Sequence, residues 1–121
     1  MSATVSWSED QIIELEFDSP WTWKDYDTAA ETMDMMAGMA AGSVSVILDL
    51  RNAPQSSTVI EHVHRSLHTK PENIRRIVIV ATPTLNELLR RALAGTDGLL
   101  PGAIEFAGSI QEAHGLLATP T

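Results

Sequence analysis

Four groups of residues in this chain have the type and spacing for chemistry. Asp49 and Arg51, a carboxylate and a guanidinium two positions apart, close the apolar run Val44–Leu50. Ligands of open α/β sheets bind at the carboxyl ends of such central strands, so the pair either meets a ligand or closes on itself and orders the next loop. The second group is hydroxyls: Ser56, Ser57 and Thr58 precede Val59-Ile60, and Thr82 and Thr84 flank Pro83 ahead of Leu85. Hydroxyls before a helix cap its free amides, and two such helix starts at one sheet edge suit an anionic group. Third, His64 and His68 share a helical face with Glu61, a spacing able to hold a divalent metal. That face borders the Ile60-Val63-Leu67 stripe, His62 points elsewhere, and no Glu follows the first His as in a zinc protease. It is read as a solvated face, and neither metal nor cofactor is expected. The last group is Met33, Met35, Met36 and Met39 behind Trp21, Trp23 and Tyr26. Methionine suits adaptable binding surfaces; most of these side chains must be core, and a cavity for an apolar ligand would lie near Met33 and Met36, with Met35 and Met39 off the buried stripe.

The elements that must position these groups follow from periodicity. Ala3–Trp7 and Ile12–Phe17 alternate apolar and polar around a short polar link, a hairpin pattern. From Trp23 the apolar spacing changes to three and four (Trp23, Tyr26, Ala30, Met33, Ala37, Ala40), a helix ended by Gly42-Ser43. Val44–Leu50 is apolar at nearly every position and predicts a strand buried on both faces. A loop from Arg51 to Ser57, a helix around Ile60-Val63-Leu67, a strand over Ile74–Ala81, a helix on Leu85-Leu88-Leu89-Ala92, a loop from Gly95 to Gly102, a strand over Ala103–Ala107 and a helix on Ile110-Ala113-Leu116-Leu117 complete the order. Each helix start carries Ser or Thr with an acid three residues later, Thr22/Asp25, Thr58/Glu61, Thr84/Glu87 and Ser109/Glu112, the capping-box spacing. Alternating elements of this kind predict an α/β sheet of four to five strands, mostly parallel after the N-terminal hairpin and packed by about four helices.

Composition bounds the function. The 121 residues hold no cysteine, which removes thiol nucleophiles, disulfides and Cys-ligated zinc, and the length fits one domain over 1–121. A net charge of −8 argues against nucleic-acid binding and against docking on an anionic membrane. The acids are concentrated in residues 1–42 (Glu9, Asp10, Glu14, Glu16, Asp18, Asp25, Asp27, Glu31 and Asp34 against Lys24), while all other bases lie between Arg51 and Arg91. An acidic side and a mildly basic side are expected, suited to head-to-tail pairing with a second copy or to an oppositely charged partner. The N-terminus lacks the basic and apolar regions of a signal peptide, and no apolar run is long enough to span a bilayer, so a cytoplasmic location is expected. Gly95, Gly98 and Gly102 fit no phosphate-binding pattern and no Gly-x-Ser-x-Gly elbow is present, so no enzyme activity is expected.

Val46-Ile47-Leu48-Asp49-Leu50, followed by Gln55-Ser56-Ser57-Thr58 at a helix start, resembles the STAS domain of bacterial anti-sigma-factor antagonists, where a strand ending in Asp-Leu leads to an Asp-Ser-Ser-Gly loop. Ile77–Leu85, with its Thr82-Pro83-Thr84 helix start, and Phe106–Ala113, with Glu112-Ala113, are similar to the family's later strands and helices. The resemblance covers about residues 11–118. It implies a four- or five-stranded sheet with helices packed on it, and regulation by contact: an anti-sigma kinase as partner, which phosphorylates the first Ser of the motif and so breaks the complex. By position that residue is Ser56, with Ser57 beside it. Gln55 and Thr58 replace the motif's Asp and Gly, and the preceding loop is shorter. The chain sits closer to divergent stand-alone members, which also resemble the CRAL-TRIO fold of apolar-ligand carriers. A phosphate at Ser56 would add about −1.5 to −2 charges beside a helix N-terminus that favours an anion. The other role for these hydroxyls is capping and solvation of the loop, which Thr58 with Glu61 already supplies.

Overall fold

The computed structural model describes residues 3–9, 11–17, 22–51, 61, 63, 73–93 and 103–118. Its elements are β1 (Ala3–Glu9), β2 (Ile12–Phe17), α1 (Trp23–Met39), β3 (Val44–Asp49), β4 (Ile74–Val80), α2 (Pro83–Leu93), β5 (Ala103–Ala107) and α3 (Ile110–Ala118). The strands form one sheet in the order β1-β2-β3-β4-β5. β1 pairs antiparallel with β2, and each later pair is parallel. The α/β class and the mostly parallel sheet after a hairpin are as expected. Three helices are described, against about four expected. The remaining one, around Ile60-Val63-Leu67, falls mostly outside the described residues, where only Glu61 and Val63 are seen, both helical.

Each parallel crossover steps one strand in the same direction, so right-handed connections place their helices on a single face. Alternation along the strands sorts the core accordingly. Ile13, Leu15, Phe17, Val46, Leu48, Leu50, Ile77 and Ile79 pack with Tyr26, Met33 and Ala37 of α1, with Val63, and with Leu85 and Leu89 of α2. Ile47, Val78 and Val80 face the other way and pack with Ala107 and with Ala113 of α3. β3 and β4 are therefore apolar at consecutive positions because both their faces are covered. No helix among the described residues is long and apolar enough to cross a membrane.

Two amide side chains tie the amino ends of the strands together. Gln11 turns the hairpin at φ 65°, a left-handed conformation unusual for a residue with a side chain. Its Nε2 donates to the carbonyls of Ala41 and Ser43 at 2.9 and 3.1 Å. Asn73 Nδ2 donates to Ala37 O at 2.7 Å and Gly42 O at 3.1 Å. Gly42 itself has φ 100°, which only glycine adopts without strain, so the turn from α1 into β3 is set by residue type and by both amides.

The helix starts test the capping spacing. Thr22 and Asp25 form the full box: Asp25 N donates to Thr22 Oγ1 and Thr22 N donates to Asp25 Oδ2. At α3, Glu112 N donates to Ser109 Oγ while Glu112 Oε1 accepts from Gly108 N, one residue earlier than the box prescribes. The expectation for α2 is corrected. Thr82, not Thr84, is the cap, accepting from Leu85 N at 3.3 Å, because Pro83 takes the first helical position, where its missing N–H costs nothing. Glu87 pairs instead with Arg91 along the helix. The box at Thr58 lies outside the described residues. Thr82→Ala is expected to lower stability by about 1 kcal/mol and Thr84→Ala by about 0.5 kcal/mol or less; urea unfolding of the two variants checks the order.

Candidate functional site

The carboxyl ends of β2, β3 and β4 meet at one edge of the sheet, and Asp49 is the last residue of the middle strand. Only 6% exposed, it is the one charged residue in the core among those described. Leu50 and Ala81 follow β3 and β4 with backbone bonds to Val80 O and Ala107 O, so the sheet continues to this edge without a gap. The Asp49 carboxylate accepts three hydrogen bonds from Arg51: Nε to Oδ1 at 2.9 Å, Nη2 to Oδ2 at 2.7 Å, and the backbone N to Oδ1 at 3.2 Å. This bidentate fork fixes the direction in which the chain leaves β3. The pair has closed on itself, while the Arg51 side chain remains 45% exposed.

Further carboxylates stand beside it. The parallel register places Glu16 next to Asp49 and Glu14 next to Ile47, so both acids lie on the α3 face of the sheet. Hydrogen bonding to Asp49 raises the Arg51 pKa above its ordinary value; burial opposes the shift, and the charges of Asp49, Glu16 and Glu14 add to it. His114 of α3 approaches from above, its Nε2 3.6 Å from Glu14 Oε2. The edge is thus an acidic strip of three carboxylates with a half-exposed guanidinium at its end. It can order the departing chain, and Arg51 presents a cationic group to an anion arriving from solvent.

The remaining expected residues are placed as follows. Thr82 sits on the same edge, past the end of β4, spent on capping, and Thr84 is exposed in the first turn of α2. Asn86, one turn further, donates from Nδ2 to Ala81 O and Ala107 O and so bridges β4 to β5; its Oδ1 is buried with no hydrogen-bond partner among the described residues. Ser56, Ser57 and Thr58 lie outside the described residues, as do His62, His64 and His68. Met33 is fully buried in the core between α1 and the sheet, and Met36 packs partly against it. They belong to the face opposite Asp49, so the structure does not bring them to the same site. No group of three or more metal-ligating side chains is present among the described residues.

A second concavity lies between α1 and β1, a half-open groove of about 570 Å³ lined by Thr4, Val5, Lys24, Asp25, Thr28, Ala29 and Thr32.

Sequence reasoning found Asp49 and Arg51 but missed Glu14, Glu16 and His114. The available signal was the alternation in Ile12–Phe17, which puts both glutamates on one face; that this face adjoins Asp49 depends on β2 pairing with β3. The chain matches no family model, no curated protein and no solved structure.

Proposed function

We propose that the chain is a non-enzymatic interaction domain of the STAS, anti-sigma-factor-antagonist kind, acting in the cytoplasm by binding a protein partner and switched by phosphorylation of Ser56. The observation that carries this reading is the Asp49–Arg51 fork at the end of the middle strand. A buried carboxylate closed by its own neighbour is suited to hold the start of the segment that leaves the strand, and in the sequence Ser56 comes five residues after Arg51. The five-stranded, mostly parallel sheet with a leading hairpin agrees with what the resemblance implies. Regulation follows from charge. A phosphoserine adds about −1.5 to −2 charges to a chain of net charge −8, in the segment that follows Asp49 and Arg51 in sequence, and so repels a partner whose surface accepts the uncharged serine.

The test is native mass spectrometry of the protein isolated from its own host, which reports phosphate and bound partner together, followed by binding of that partner to two variants. Ser56→Ala is expected to keep the partner and Ser56→Asp to lose it. Equal binding by both variants rejects the switch.

A further inference from the structure

We infer that the outer edge of β1 is a self-association surface, on which a second copy of the chain adds its own β1 antiparallel about Ser6, so that each copy seats its Trp7 in the groove of the other.

β1 is the edge of the sheet, and among the described residues nothing pairs with its outer side. Edge strands are normally blunted by charge, proline or brevity. β1 has neither charge nor proline over Ala3-Thr4-Val5-Ser6-Trp7-Ser8; the charge of Glu9 and the register shift between Trp7 and Glu9 are confined to its last residues. The opposite edge, β5, is shorter and has Glu105 at its middle. In a chain of net charge −8, the uncharged stretch Ala3–Ser8 is a place where two copies can meet without facing carboxylates.

The helix beside this edge is arranged in the same sense. At 100° per residue, Thr28, Thr32 and Met39 fall on one flank of α1, Asp27 and Asp34 on the other, and Lys24, Glu31 and Met35 along the outer ridge between them. The first flank faces β1, since Thr28 and Thr32 line the groove with Thr4 and Val5. Met35 is 69% and Met39 85% exposed, and Trp7 is 45% exposed. Of these, Trp7 stands on the edge strand itself and Met39 shares the flank of Thr28 and Thr32. Asp25, the acid in the groove, is engaged in the helix cap.

The shape selects a second copy as occupant. Val5 and Trp7 lie on the α1 face of β1, being register partners of Leu15 and Ile13, which point into that core. Antiparallel pairing about Ser6 sets Val5 opposite Trp7 of the other copy, and the groove opens beside Val5. One end of the edge is convex with Trp7, the other concave beside Val5, and a two-fold axis through Ser6 exchanges them. This interface is isologous and closes at a dimer. It differs from the head-to-tail pairing of acidic and basic sides expected from the sequence, and the two respond differently to salt.

Sedimentation equilibrium of the full chain from about 1 μM to about 1 mM, in about 0.1 M and about 1 M salt, is expected to show a monomer–dimer equilibrium that high salt does not weaken. Ser6→Lys sets like charges opposite one another across the axis and is expected to weaken the dimer about tenfold or more. It keeps the monomer folded, because position 6 is paired in register with Glu14 of the same chain. Trp7→Ala is expected to weaken the dimer about a hundredfold, one indole being lost from each side. The chain has no cysteine, so Ser6→Cys is expected to form a disulfide dimer rapidly on oxidation, and Ala118→Cys, exposed at the end of α3, slowly. A monomer throughout the range, a dimer that both Ser6→Lys and Trp7→Ala leave intact or that salt dissolves, or equal oxidation of the two cysteine variants overturns the inference; a monomer would leave the edge to an extended segment of another protein.

Discussion

Met33→Ala is expected to lower the unfolding free energy by about 2–5 kcal/mol, seen as a fall in the urea midpoint with the slope unchanged. Met33 is fully buried, and its neighbours one turn away on α1 are the buried Ala29, Ala30 and Ala37 and the partly buried Met36. The three alanines have no side-chain length with which to fill the space a thioether leaves, so most of the cavity persists and its cost adds to the lost transfer energy. Met35→Ala removes a side chain already in water and is expected to change stability by about 0.5 kcal/mol or less. The pair also bears on the apolar-carrier alternative. A side chain that lines a ligand cavity would, when truncated, alter uptake of an apolar probe such as a fatty acid more than it alters stability. The expected result is the reverse, a large stability loss with no change in uptake; a stability-neutral Met33→Ala with altered uptake would favour the carrier.

The contrast between Met33 and Met35 marks what the sequence makes legible. A period of three and four through Tyr26, Met33 and Ala37 defines the buried face of α1 without any knowledge of the sheet, because a helix must turn its apolar stripe toward the core. The consecutive apolar residues of β3 and β4 likewise announce strands covered on both sides. Local signals fail where two of them compete. Thr82 and Thr84 both precede the α2 stripe, and the choice between them rests on Pro83, whose fixed φ and missing N–H belong at the first helical position. They fail altogether where a site is assembled by register. Glu16 reaches Asp49 only because β2 pairs with β3 in parallel, and His114 reaches Glu14 from a hundred positions away because α3 folds back on the face that α1 and α2 leave open. Nothing in the spacing of Glu14, Glu16 and His114 distinguishes them from solvated surface residues until the strand order is known. The same holds for Gln11 and Asn73, whose polar side chains read as loop and act as ties for the turn after α1.

Arg51→Ala is the sharpest test of the site itself, with an expected loss of about 1–3 kcal/mol. The guanidinium supplies two of the three hydrogen bonds that the Asp49 carboxylate receives from Arg51; the third, from the backbone N, is the longest. Truncation leaves that carboxylate in place with Glu16 beside it in register, a buried charge that has lost its counter-ion. For a fully enclosed pair the cost would be about 3–5 kcal/mol. Here the Arg51 side chain is 45% exposed, so water enters the vacated space and recovers part of it. The sign of the effect can be separated from simple loss of packing by a second substitution. Asp49→Leu on the Arg51→Ala background removes the stranded charge and is expected to restore most of the loss, since a buried ion pair and a well-packed apolar residue are close in free energy while half a pair is not. Chemical denaturation of the wild type, both single variants and the double variant closes the cycle. If Arg51→Ala costs less than about 0.5 kcal/mol, the fork does not order the loop, and the structural basis for placing a switch at Ser56 is lost. If the cost is as expected, the single variant also separates structure from regulation. It should weaken partner binding even with Ser56 unmodified, because the loop then leaves β3 without a fixed direction, whereas the double variant, stable but still lacking the fork, should bind as weakly as Arg51→Ala.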